Sequence, residues 1–257
     1  KRMARAFRFE KKDFIIVLSP YHLGFLKPEL LGYACIALLS HLTPFQTNLR
    51  FCVCVCVCGG GRVDNDVTAV SLMTYDFNSV TLHGPGPIAP YGLGSILHMN
   101  YTFFFLDWWT GGGKKWMEQV LLSALRELKL NDKGMSKLLL GINYYGYRFD
   151  NVDESVGEAS PQESAQQNMK NPRQPSMVTS DVLLRECIDE NENKEDWAWK
   201  WNSLYHEHYL YNAKLRQKIW FPSLSFLDAR LALAKKYGTG IAVWELGQGF
   251  SYFNQLL

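Results

Sequence analysis

Short apolar runs that do not alternate with polar residues constrain this chain more than any other feature. Phe14-Ile15-Ile16-Val17-Leu18 closes on Ser19-Pro20, and Val70 to Met73 runs into Thr74-Tyr75-Asp76. Leu138 to Ile142 runs into Asn143-Tyr144-Tyr145-Gly146, and Gly240 to Val243 into Trp244-Glu245-Leu246-Gly247-Gln248-Gly249. A strand buried on both faces, as in a parallel sheet, reads as such a continuous run. Polar and aromatic residues gathered where such strands end predict a site at the carboxyl edge of the sheet. The fold class expected is α/β.

The connections support that reading. Val120-Leu121, Ala124-Leu125 and Leu128 share a helical face, which predicts an amphipathic helix over Trp116 to Leu130 returning the chain to the Leu138 strand. Ser223 caps a second predicted helix, whose Leu224, Leu227, Leu231 and Ala234 share a face. Lys235 and Lys236 fall in its last turn and Gly238 just beyond it, which are stop signals. Phe250 to Leu257 begins a last helix. Residues 150–196 are rich in Glu, Gln, Asn and Ser and read as a polar, mobile surface insertion. Trp197, Trp199 and Trp201 alternate and lead through Tyr205, His206 and His208 to Ile219-Trp220-Phe221, a pattern that suggests a two-stranded ribbon.

At 257 residues the chain is long enough for one α/β domain with a substantial core. A net charge of +2 with 20% charged residues gives no electrostatic argument for nucleic acid. Aromatics at 14% suit a groove that stacks flat ligands such as sugars, although the same rings also fill cores. No charged segment followed by an apolar one opens the chain, so no signal peptide is visible. The most apolar stretch, Leu30 to Leu39, is about one third to one half of a membrane span.

Two stretches fit poorly, 21–62 and 94–116. In the first, Cys52, Cys54, Cys56 and Cys58 alternate with valines. Such cysteines point to one face of a strand, roughly 6–7 Å apart, near the upper limit for a disulfide. The spacing is not the CxxC of a zinc site. A TG dinucleotide repeat, translated, yields the same alternation, so read-through of non-coding sequence is the plainer account beside a metal or redox strand. The second stretch holds Phe103-Phe104-Phe105-Leu106 beside Trp108-Trp109, and the Asn100-Tyr101-Thr102 sequon.

Asp76 and Glu245, each at a strand end, are the carboxylates best placed to orient a substrate or move a proton. A structural role held by neighbouring donors is the alternative for both. His206 and His208 share a strand face, but no third ligand stands close by, so a surface role outweighs a metal site. GxSxG, HExxH and Gly-rich phosphate loops do not occur, and no cofactor is implied.

Met73-Thr74-Tyr75-Asp76, Gly141 to Gly146 and Val243 to Gly249 resemble the sixth, seventh and eighth strands of glycoside hydrolase family 18, nearest its chitinase-domain-containing branch. Phe14 to Pro20 resembles the fifth. The likeness covers roughly residues 10–20, 64–92, 118–150 and 197–257, about half the chain. It implies a (β/α)8 TIM barrel, with only the C-terminal half present and a saccharide groove at the carboxyl ends of its strands. Met73, Tyr75 and Asp76 would line the subsite for an N-acetyl sugar, with Trp244 as stacking floor and Glu245 beside it. Asn143, Tyr144 and Tyr145 would extend the groove. Hydrolysis in the family uses an acidic Glu in a DxxDxDxE motif on the fourth strand, and this sequence contains no such motif. The resemblance therefore implies non-catalytic, lectin-like binding of chitooligosaccharide, with an active hydrolase or a protein-docking module as rivals. It further implies a stabilin-type scavenger receptor as partner and a secreted or lysosomal setting. The two poorly fitting stretches have no counterpart in the family and read as intron-derived.

Overall fold

The computed structural model describes residues 15–18, 68–78, 85–92, 116–128, 132–156, 175–188 and 196–257. The Cys-Val tract with the rest of 21–62, the stretch 94–115 with its sequon, and His83-Gly84 lie outside the described residues. The chain divides into two compact units. One takes in 1–73, 120–141 and 234–242, and the other 74–119, 142–233 and 243–257.

The four apolar runs form one sheet, most of whose residues belong to the first unit: β1 (Ile15–Leu18), β2 (Ala69–Leu72), β3 (Leu138–Asn143) and β9 (Gly240–Trp244), in spatial order β1-β2-β3-β9. Ile15 pairs with Ala69 and Val70 with Leu138, both in parallel register. Every residue of β2 is buried, and Leu138, Leu140 and Ile142 of β3 are fully buried, as a non-alternating apolar strand requires. β9 differs. It stands at the end of the strand order, its residues are half-buried, and Trp244 is exposed, because an edge strand has a neighbour on one side only. Among the described residues the sheet does not close into a barrel.

Helix α1 (Trp116–Glu127) precedes β3 and buries Met117, Val120, Leu121 and Ala124, an i, i+3, i+4 stripe. Leu125 and Leu128, assigned by sequence to the same face, are half-buried. Glu118 in its first turn and Arg126 in its last complement the helix dipole.

The second unit is built on β4 (Gly146–Asp150), β5 (Ser176–Val178), β6 (Trp197–Asn202), β7 (Glu207–Asn212) and β8 (Gln217–Phe221). These form a five-stranded antiparallel sheet in the order β5-β4-β8-β7-β6. The expected two-stranded ribbon is thus three strands of a larger sheet, with β8 bonded to β4 (Tyr147 opposite Trp220). The expected mobile insertion is also corrected in part. β5 pairs with β4, and Thr179 caps the short helix α2 (Ser180–Leu183) by accepting from Val182 N–H at 3.5 Å. Val178, Leu183 and Cys187 are buried, so this segment is part of the core. Three apolar anchors in an otherwise polar sequence were too few to outweigh its composition.

Helix α3 (Leu224–Tyr237) starts as expected: the Ser223 hydroxyl accepts from Phe226 N–H at 3.2 Å. It ends at Gly238, whose φ of 64° is the left-handed stop that glycine supplies. Its buried stripe is turned from the one expected. Phe226, Leu227, Arg230, Leu233 and Ala234 are buried, Leu231 is half-buried, and Leu224 is exposed. The sequence reading went astray at Arg230, because charged residues are ordinarily placed outside. Ser251–Leu256 forms a last helical stretch of the tighter three-residue type, with Phe253 buried.

Candidate functional site

Asp76 lies four residues past β2 with a backbone φ of 62°, in the left-handed region that Asp and Asn enter more readily than most residues. The Tyr145 and Tyr147 hydroxyls both donate to its Oδ1, Tyr147 at 3.0 Å and Tyr145 by the shorter bond. The two tyrosines are two residues apart where β3 gives way to β4, so their rings share a face, edge to face with centroids 5.5 Å apart. Tyr75 adds a third ring, edge-on to Tyr145 at 6.3 Å.

Burial pushes the Asp76 carboxyl above its ordinary value, and the two phenol bonds pull the other way. Burial also drives the phenols of Tyr75, Tyr145 and Tyr147 well above the usual tyrosine range, with the Asp76 charge adding to it. These phenols therefore remain donors at any physiological pH. Such a cluster receives and orients hydroxyl, amide or acetamido groups. It does not supply a nucleophilic phenolate.

The other predicted residues gather around the ends of β3 and β9. Tyr144 N–H donates to Trp244 O at 2.9 Å, which sets that strand end beside the exposed indole of Trp244. The Tyr144 ring is fully buried, edge-on to Phe253 at 5.2 Å. Gly249 packs so closely that a Cβ there would lie 2.7 Å from Tyr144 Cδ2, and the Ser180 hydroxyl donates to Gly249 O at 3.0 Å. Asn143 donates through Nδ2 to Tyr145 O at 2.8 Å. Among the described residues Asn143 Oδ1 and Tyr144 OH are buried without a hydrogen-bond partner. Met73 is half-buried just past β2 and enters none of these bonds. Glu245, joined to Trp244 by a cis peptide bond, is exposed, and its carbonyl accepts from Gln248 N–H at 3.1 Å. Of the two carboxylates favoured by sequence, Asp76 sits among donors, and among the described residues Glu245 does not.

Sequence reasoning missed Tyr147, although the Tyr145-x-Tyr147 spacing carried the signal. The Gly146 between them is the first residue of β4. His206 is not on a strand with His208. It lies in the β6–β7 turn at φ 51° and packs tilted against the Tyr91 ring, centroids 4.6 Å apart. His208 Nδ1 is 2.7 Å from the Ser223 hydroxyl, and no cluster of three metal-ligating side chains occurs among the described residues. No helix among them is long and apolar enough to cross a membrane.

A family model described as glycosyl hydrolases family 18 matches residues 61–249. The chain belongs to that family. The fold of family 18 is a (β/α)8 barrel, of which the described residues show mixed α/β structure with four parallel-sheet strands. Solved structures agree at the level of fold. The chitinase ChiW of Paenibacillus sp. str. FPU-7 is similar at a TM-score of 0.53 and 21% identity, over 76% of this chain and 20% of that one. A family 18 N-acetylglucosaminidase of Paenibacillus barengoltzii gives 0.51 and 17%, over 74% of this chain and 47% of that one. An immunomodulatory active chitinase of Trichuris suis gives 0.51 and 14%, over 95% of this chain and 54% of that one. The family 18 chain thus spans about half the length of these structures or less.

Proposed function

We propose that this family 18 chain binds N-acetylglucosamine-type oligosaccharides, such as chitin fragments, at the carboxyl ends of its parallel strands without hydrolysing them. The observation that carries the reading is the Asp76 carboxyl held by the Tyr145 and Tyr147 hydroxyls, with Tyr75 against them. That cluster matches the polar side of an acetamido sugar, and an exposed indole such as Trp244 matches its flat apolar face. In this reading β1, β2, β3 and β9 are the fifth to eighth strands of the barrel. The reading stops at binding because the residues of this chain include no DxxDxDxE sequence. From the family resemblance alone we also propose a stabilin-type scavenger receptor as protein partner in a secreted or lysosomal setting, testable by pull-down with a receptor ectodomain.

The test is calorimetric titration of the full chain with chitotetraose, beside Trp244→Ala, with reducing ends assayed in parallel. Binding that weakens roughly tenfold or more in the variant, while its circular dichroism is unchanged, is the expected result. Equal affinity in the two proteins, or none in either, refutes the reading. Release of reducing ends favours the hydrolase alternative, for which the raised Asp76 carboxyl is the supporting observation.

A further inference from the structure

Beyond the ligand-facing cluster, an unusual pair of charges sits at the far end of a chain of hydrogen bonds that begins beside Asp76. Phe77 N–H donates to Ile88 O at 2.8 Å and Asn78 Nδ2 to Pro87 O at 2.7 Å, so the residues after Asp76 are fastened to the loop 85–92. Two successive amides of that loop are held by one carboxylate: Ile88 N–H reaches Glu207 Oε2 at 3.1 Å and Ala89 N–H reaches Oε1 at 2.7 Å. Arg230 donates to the carbonyls of Ala89, His206 (2.8 Å), Phe226 (3.1 Å) and Tyr205 (3.3 Å), with its guanidinium 3.6 Å from the Phe226 ring. Glu207 and Arg230 are 3.6 Å apart, and their side chains are 2% and 0% exposed.

A buried ion pair is a poor device for stability, since apolar residues of the same volume serve as well or better. It does fix geometry, because each charge tolerates few arrangements of its partners. Geometry is what Asp76 needs: a non-glycine residue in the left-handed region persists only where its surroundings over-determine it. We infer that Glu207 and Arg230 are a positioning pair that, through Ile88, Ala89 and the Phe77 bond, holds the left-handed turn aiming Asp76 at Tyr145 and Tyr147. Burial pushes Glu207 up and brings Arg230 down, and each charge opposes the shift of the other. Neither residue belongs to the ligand-facing cluster. The inference rests on the saccharide reading only for what the turn is used for.

The experiment compares Glu207→Gln with Lys218→Met in the full chain. Lys218 is equally buried in the same unit and donates to Glu154 O and Val156 O, away from the 85–92 loop, so its variant controls for general loss of stability. Amide hydrogen exchange is read at Phe77, Ile88 and Ala89, and the hydroxyl protons of Tyr145 and Tyr147 are followed by NMR near neutral pH. The expected result is roughly tenfold or faster exchange at those three amides in Glu207→Gln only, the scale of one charged hydrogen bond. The two hydroxyl protons, now held by Asp76, should also exchange faster with water in that variant, as Asp76 leaves them. Unchanged amide exchange overturns the inference, and so does faster amide exchange with both hydroxyl protons as in the parent. If Glu207→Gln fails to fold, Arg230→Lys, which keeps the charge but loses the fork of donors, is read by the same two measurements and the same criteria. Chitotetraose affinity is measured in parallel, and its absence from the parent protein counts against the proposed function alone.

Discussion

Replacing Tyr145 by Phe removes one hydroxyl and leaves the ring, so the effect reports the bond to Asp76 and little else. A hydrogen bond to a buried charged group contributes about 2 kcal/mol, and Asp76 keeps its second donor, Tyr147, at 3.0 Å. The loss should therefore stay near about 2 kcal/mol, short of the larger penalty for a wholly unpaired carboxylate. For a chain of this size that lowers Tm by roughly 4–8 °C. The pH dependence has a definite sign. Burial raises the folded Asp76 carboxyl above its ordinary 3.8, so its contribution to stability is full below that value and declines as pH rises through the folded pKa. The Tyr145→Phe substitution raises the folded pKa further, because the lost bond was one of the two that lowered it. More stability is then lost by pH 7, and the gap between parent and variant widens from pH 4 to pH 7. Thermal melts by circular dichroism at the two pH values measure it. A gap that is absent at pH 7, or equal at both, refutes the account of the cluster.

Two further outcomes follow from packing and burial. Gly146→Ala places a methyl 2.3 Å from the Trp220 carbonyl oxygen, a backbone atom that cannot step aside, so urea titration should show a loss of about 3 kcal/mol. A variant within about 0.5 kcal/mol of the parent would contradict that close approach. Cys187 is buried, and its thiol is pushed from 9.0 up to about 12, first by burial and then by the Glu186 charge. At pH 8 its alkylation, mapped by mass spectrometry, should be roughly a thousandfold slower than that of a free thiol, and unfolding in urea should abolish the protection.

The apolar runs were legible because a strand buried on both faces leaves little freedom of composition. All four became strands of one sheet, and the cluster of aromatic and polar residues at their ends contains Tyr75, Asp76 and Tyr145 side by side. The antiparallel sheet was harder to see. β6 alternates tryptophans with small or polar residues, but only two residues separate β3 from β4, and no turn chemistry announces a change of sheet. Glu207 and Arg230 were invisible for a different reason. Nothing local distinguishes a charged residue that will be buried from one that will not, and the loop at 88–89 that both of these bind lies more than 100 residues away. His206 was misplaced because strict alternation with His208 mimics a strand, whereas its positive φ belongs to a turn.

The left-handed conformation of Asp76 has a consequence for how this position can change over time. Most substitutions there fail twice, once in the backbone and once in the loss of an acceptor for two phenols. Asn escapes the first failure because it enters that region almost as readily as Asp, and glycine escapes it without offering any acceptor. A lineage that abandoned its ligand could thus drift through Asn or Gly at 76 while keeping the turn. A β-branched residue would mark the loss of the turn itself. The identity of one residue in related chains therefore records separately whether the scaffold or the chemistry was released first.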